Sequence, residues 1–119
     1  MFKKKIIWHK VFESEQQGFE VIPDNGSIEV IVGKRRFCMA RYKGEFYAMD
    51  NRCPHQGAPL SGGKCNENGA IECPWHKYPF DLKTGRYTLG AGDCVETYPI
   101  EKRTDGIYIG IKDWSWNIF

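Results

Sequence analysis

Short runs rich in β-branched and aromatic residues recur along most of the chain, each bounded by a turn signal. The runs span residues 18–22, 28–32, 36–42, 45–49, 70–73, 95–102 and 107–111. Between them stand Asn25-Gly26, Lys43-Gly44, Asn68-Gly69, Thr84-Gly85 and Asp105-Gly106. Asn-Gly and Asp-Gly suit tight hairpins because both central residues tolerate positive φ. Across Lys43-Gly44, Phe37 and Met39 on one side and Phe46 and Ala48 on the other show the period of a half-buried strand pair. No long stretch has a helical period, and no segment of fold size repeats. The pattern predicts an all-β fold, an antiparallel sandwich or barrel. One stretch departs from it. Residues 51–68 read as turn, with Pro54, Gly57, Pro59, Gly62 and Gly63. Such a segment on a rigid β scaffold is where function is expected.

The chain of 119 residues is predicted to form one domain over 1–119, large enough to own a core without disulfides. With 14% aromatic and 41% hydrophobic residues it reads as globular rather than disordered. A net charge of +2 argues against a nucleic-acid binder, which would carry a basic stripe. Lys3, Lys4 and Lys5 read as a solvated terminus. The apolar group after them, Ile6 to Trp8, is too short for a signal-peptide core. No apolar run approaches the roughly 18 residues of a membrane span. A cytoplasmic protein is therefore expected. The five cysteines are an odd number, and in a reducing compartment cysteines clustered with histidines read as metal ligands.

Two such clusters exist. Cys53-x-His55 is followed, seventeen residues on, by Cys73-x-x-His76. Four ligands of type Cys2His2 suit tetrahedral zinc. Zinc fingers, however, usually take two cysteines from one segment and two histidines from the other, whereas here each segment supplies one of each. Two loops facing each other would pair the thiolates on one side and the imidazoles on the other, an arrangement suited to two metal ions.

At CPHQGAPL (53–60) and CPWHKYPFD (73–81) the sequence resembles the Rieske iron–sulfur family. The likeness extends to EFYAMDNRC before the first loop and to the closing TYPI and DGIYIGI, covering about residues 6–112. It implies an all-β sandwich or incomplete barrel carrying a cluster-binding subdomain of two loops. It implies one [2Fe–2S] cluster, with Cys53 and Cys73 on one iron and His55 and His76 on the other. Neutral imidazoles in place of two thiolates raise the potential into a range of about −150 to +300 mV. Pro54 and Pro74 bias each cysteine towards extended backbone, and Gly57 lets the first loop turn close to the cluster.

Departures within the family narrow the reading. Its high-potential members carry an extra cysteine in each loop, which form a disulfide; Ala58 and Trp75 stand at those positions. They also place a serine and a tyrosine after the second histidine, where Tyr78 and Phe80 stand here. Fewer donors to sulfur imply a potential in the lower part of the range, as in soluble ferredoxins that feed ring-hydroxylating oxygenases. Lys77 stands where many relatives have glycine, so its backbone is less free. The third loop of this fold reads Gly90-Ala91-Gly92, without the proline of many relatives.

The resemblance implies a one-electron carrier whose partners are redox proteins, a reductase and a terminal oxygenase or reductase, with no nucleic acid and no membrane span. A fixed electron-transfer subunit, like the small subunit of nitrite reductase, is the alternative, and a zinc-binding module a remote one. An oxygenase in its own right is not expected. Its mononuclear iron needs two further histidines, and only His9 lies outside the motif. There is likewise no Cys-x-x-Cys-His for haem. Cys65 is expected to be a free thiol, and Cys38 and Cys94 small packing residues. Arg52, Lys64, Lys77, Lys83 and Arg86 could steer an acidic partner or form an ordinary solvated surface. The aromatic tail, from Trp114 to Phe119, is expected to pack back on the barrel.

Overall fold

The computed structural model describes residues 4–54, 57–90 and 92–114. They form ten strands and one short helix. The strands are β1 (Lys4–Phe12), β2 (Ser27–Val32), β3 (Arg35–Tyr42), β4 (Glu45–Asp50), β5 (Lys64–Cys65), β6 (Ala70–Glu72), β7 (Pro79–Asp81), β8 (Thr97–Tyr98), β9 (Ile100–Arg103) and β10 (Gly106–Trp114), with α1 (Glu15–Val21) after β1. Three antiparallel sheets result, ordered β1-β10-β9, β2-β3-β4-β8 and β5-β6-β7. The expected all-β fold is what the chain adopts.

The β2-β3-β4-β8 sheet lies in the middle, because β3 is buried on both faces. Phe37 and Met39 pack with Ile107, Ile109 and Ile111 of β10, while Cys38 and Ala40 pack with Leu60, Ile71 and Phe80 on the other side. Strands buried on both faces read as unbroken apolar runs, and Phe37-Cys38-Met39-Ala40 is one. The half-buried alternation expected there describes only one of its two faces. The hairpin itself is as expected. Met39 pairs with Ala48, and Lys43 and Gly44 take φ of 51° and 78°, the two positive values a twisted two-residue hairpin needs.

Three expectations change. Residues 18–22, read as a strand, lie in or cap α1. Ser14 Oγ accepts from Gln17 N–H at 3.0 Å, a serine cap on a helix start. Arg41 Nη1 donates to the carbonyls of Phe19 and Ile22 at 3.1 and 3.0 Å, satisfying the other end. The run 95–102 is not one strand. Pro99 divides it, so that β8 pairs with β4 and β9 with β10. Asn25-Gly26 makes no hairpin. It turns the chain from α1 into β2, with Gly26 N–H on Pro23 O at 2.9 Å. Strand β1, which no run predicted, pairs along β10. The tail from 115 lies outside the described residues.

Candidate metal centre

Two loops project from the small β5-β6-β7 sheet and its junction with β4. The first runs from the end of β4 to β5, the second joins β6 to β7. Proline after each cysteine removes a donor and favours extended geometry before it, so each loop opens with the cysteine N–H free to bond across the turn. In the first, Cys53 N–H donates to Ala58 O at 2.7 Å and Gly57 N–H to Cys53 O at 2.7 Å. In the second, Cys73 N–H donates to Tyr78 O at 2.9 Å and Lys77 N–H to Cys73 O at 2.7 Å. The same turn is built twice, closed at the fourth and fifth residues after the cysteine. The fourth residue is left-handed in both, φ 73° at Gly57 and 59° at Lys77.

The turns place their side chains asymmetrically. Cys53 and Cys73 are both wholly buried, among Ala58, Leu60, Ile71, Phe80 and Val95. His76 is exposed, its ring 5.7 Å from that of Tyr78. His55 lies outside the described residues. The two thiols thus face inward and the His76 imidazole outward. Among the described residues no three His, Cys, Asp or Glu side chains gather around one point. The described donor set is two thiols in an apolar pocket and one solvent-facing imidazole. It fits a two-iron cluster with one sulfur pole, since thiolates are the ligands such iron takes.

The surroundings hold the loops in place. Asn51, at the root of the first, accepts from Ser61 N–H at 2.7 Å. Its amide donates to Ser61 Oγ and Glu29 Oε2, both at 2.9 Å. Gly63 brings this loop against β6, where an added Cβ would stand 2.2 Å from Glu72 O. Only a glycine allows that approach. A third segment closes the side, with Thr88 N–H donating to Pro79 O at 3.1 Å and Tyr87 edge-on to Tyr78 at 6.0 Å. From sequence, Gly63 read only as part of a turn and Asn51 had no role; the run of small residues 61–63 was the trace of the close approach.

The remaining cysteines behave differently. Burial pushes the Cys38 thiol up to about 12, against a lowering hydrogen bond with Ser27. Burial likewise pushes Cys65 up to about 11. Both stay protonated at neutral pH, as expected of non-ligands. Cys94, expected to pack, is exposed. It meets Arg86 in an isolated bridge rather than a strand. At the root of β4, Tyr98 OH donates to Asp50 Oδ1 and accepts from Arg35 Nη2, both at 2.6 Å. Burial, then the Asp50 carboxylate, raises this phenol well above its usual range.

Comparison with known proteins agrees with this geometry. The model of the Rieske [2Fe-2S] domain matches residues 8–99. The chain is similar to the 3-phenylpropionate/cinnamic acid dioxygenase ferredoxin subunit of Photorhabdus laumondii, at 37% identity over 95 residues, covering 79% of this chain and 90% of that one. Among solved structures it resembles the ferredoxin of carbazole 1,9a-dioxygenase from Nocardioides aromaticivorans IC177, with a TM-score of 0.71 and 25% identity over 86% of this chain and 95% of that one. A Mycobacterium tuberculosis protein described as an NADH-dependent nitrite reductase small subunit gives a TM-score of 0.78 at 19% identity, over 90% and 96% of the two chains. At that identity the likeness is one of fold.

Proposed function

Because the chain belongs to the Rieske [2Fe–2S] domain family, we propose that Cys53 and Cys73 hold one iron of its cluster and His55 and His76 the other. The cofactor of this family is a single Rieske-type cluster, which takes up and returns one electron. The chain is an electron-transfer component, not an enzyme acting on a substrate. The ligand assignment rests on the matched turns, which bury two cysteines at equivalent points of two loops. Leu60, Ile71 and Phe80 keep water from the sulfur pole. The His76 edge, in solvent, gives the electron a short way out.

The relatives are named as dioxygenase ferredoxins, and this supports a matching role here. The chain receives electrons from a reductase and supplies a terminal oxygenase, as a free carrier acting as one domain over 1–119. No helix among the described residues is long and apolar enough to cross a membrane, which accords with a cytoplasmic site of action.

Anaerobic purification followed by iron and acid-labile sulfide assays and a reductive titration tests the assignment. The expected result is a cluster that takes one electron and is lost in Cys53→Ser, Cys73→Ser, His55→Ala and His76→Ala but kept in Cys65→Ser. A colourless zinc protein overturns it. Phe80 is wholly buried and has no hydroxyl to offer, so the midpoint should fall in the lower part of the range. A value above about +200 mV contradicts that. Co-elution with a large reductase on size exclusion would replace the free carrier with a fixed subunit.

A further inference from the structure

The electron-carrier reading, on which this inference rests, requires a partner at the end of the molecule where the ligand loops project. Trp75 and Leu89, at 65% and 74% exposure, are the barest large apolar side chains among the described residues. Both lie at that end. Trp75 sits in the second ligand loop beside His76. Leu89 follows Thr88, which is bonded to Pro79 just past the same loop. An indole left in water forgoes a large apolar burial, and a paired exposure of this kind marks an interaction site rather than a scattered surface residue.

The charge of the same loops has one sign. Residues 51–66 and 73–80 contain no Asp or Glu, but do contain Arg52, Lys64 and Lys77. The Arg52 guanidinium lies over the first turn, 3.5 Å from where a Cβ on Gly57 would stand. Lys77 keeps its cation beside His76 in a left-handed conformation that disfavours any side chain. Among the described residues neither Arg52 nor Lys77 enters an ion pair. The third segment, residues 82–94, adds one carboxylate, Asp93, against Lys83 and Arg86, and Asp93 lines a cavity with Arg86, Tyr87 and Cys94.

We propose that this end docks a redox protein whose own patch is an apolar recess rimmed by carboxylates. Trp75 fills the recess, Leu89 borders it, and Arg52 and Lys77 meet the rim. A second copy of the chain is the poorer occupant, because a two-fold contact would set these cations against themselves. Steering by opposite charge acts on encounter rate and orientation, and an aromatic anchor supplies the contact energy. Together they suit a brief, oriented encounter of the small kind that redox proteins make.

Stopped-flow oxidation of the reduced holoprotein by two acceptors tests this. Cytochrome b5 carries carboxylates around its haem edge; cytochrome c carries lysines. The rate with the acidic acceptor is expected to fall by at least about tenfold from low to high salt, while that of cytochrome c rises. Arg52→Glu with Lys77→Glu should reverse both salt dependences. Trp75→Ala should slow cytochrome b5 several-fold without changing its salt dependence, whereas Val21→Ala, an exposed apolar control on α1, should change neither. Midpoint potentials measured on each variant separate driving force from docking. A cytochrome b5 rate that does not fall with salt, or a cytochrome c rate that does, overturns the docking inference alone. So does a wild-type dimer that Trp75→Ala converts to monomer. A holoprotein that passes no electron to either cytochrome or to ferricyanide overturns the carrier reading and this inference with it.

Discussion

Lys77 repeats in the second ligand loop the backbone conformation that Gly57 holds in the first. Their φ angles are 59° and 73°, and each donates its N–H, at 2.7 Å, to the carbonyl of the cysteine four residues earlier. The duplication shows that the turn is dictated by its hydrogen bonds and by the proline after each cysteine. The residue at the left-handed position does not decide it. Glycine accepts that position without strain, whereas an L side chain meets its neighbouring carbonyl at a cost of about 1–2 kcal/mol.

Lys77→Gly is therefore expected to stabilise the holoprotein by up to about 1 kcal/mol, part of the relieved strain being offset by a freer unfolded chain. Gly57→Ala should destabilise it by a similar amount. The nearest atom to the new Cβ is the flexible Arg52 guanidinium at 3.5 Å, so that cost is conformational rather than steric. Thermal melts followed by both cluster absorbance and far-ultraviolet circular dichroism check the pair. A lower melting point for Lys77→Gly would mean that the lysine side chain contributes more to the loop than its backbone loses.

Asn51 closes the first loop as a clasp, joining its root to Ser61 by two hydrogen bonds and to Glu29 of β2 by a third. Asn51→Ala removes all three and is expected to cost about 2 kcal/mol, since net contributions of such bonds are about 1 kcal/mol each and one donor, Ser61 N–H, is part-buried. Ser61→Ala keeps the backbone bond to Asn51 and should cost less. The more specific readout is cluster loss into a chelator, which should be several-fold faster in Asn51→Ala than in Ser61→Ala. Equal rates would show that the clasp does not govern the ligand loop.

What the sequence carried and what it hid follow from the range of each interaction. The two cysteine loops were legible because their pattern is local, a cysteine, a proline and a histidine within a few residues of one another. The Lys43-Gly44 hairpin was legible for the same reason. Residues 18–22 misled because Phe19, Val21 and Ile22 favour strands one by one, while the helix is set by Ser14 at its start and Arg41 at its end. The capping pattern Ser14-Glu15-Gln16-Gln17 went unread, and Arg41, nineteen residues beyond Ile22, leaves no local trace. The two-faced burial of β3 was hidden likewise, because it depends on sheets formed by distant segments. Pro99 alone marked the corner between β8 and β9, and it was read through. The bareness of Trp75 is a tertiary fact too. Only its surroundings in three dimensions show that nothing covers it.

The five cysteines are expected to separate by reactivity. Thiolate is the attacking form, and the ordinary thiol value is 9.0, against about 11 for Cys65 and about 12 for Cys38. Burial favours the neutral thiol in the fold, so the folded chain keeps protons that the unfolded chain releases. The associated stability is complete below about pH 9 and declines as pH rises towards 11 and 12. In iodoacetamide labelling of the holoprotein at pH 8, exposed Cys94 should react first. Cys65, half-buried with its Sγ 3.9 Å from Arg41 O, should follow at least about tenfold more slowly, with a rate rising about tenfold per pH unit up to pH 10. Cys38 should stay unmodified until the protein unfolds. Cys53 and Cys73 should be protected while the cluster is bound and become reactive once a chelator removes it. Peptide mass spectrometry resolves all five. Labelling of Cys53 and Cys73 in the coloured protein at the rate of Cys94 would show that these two cysteines are not its ligands.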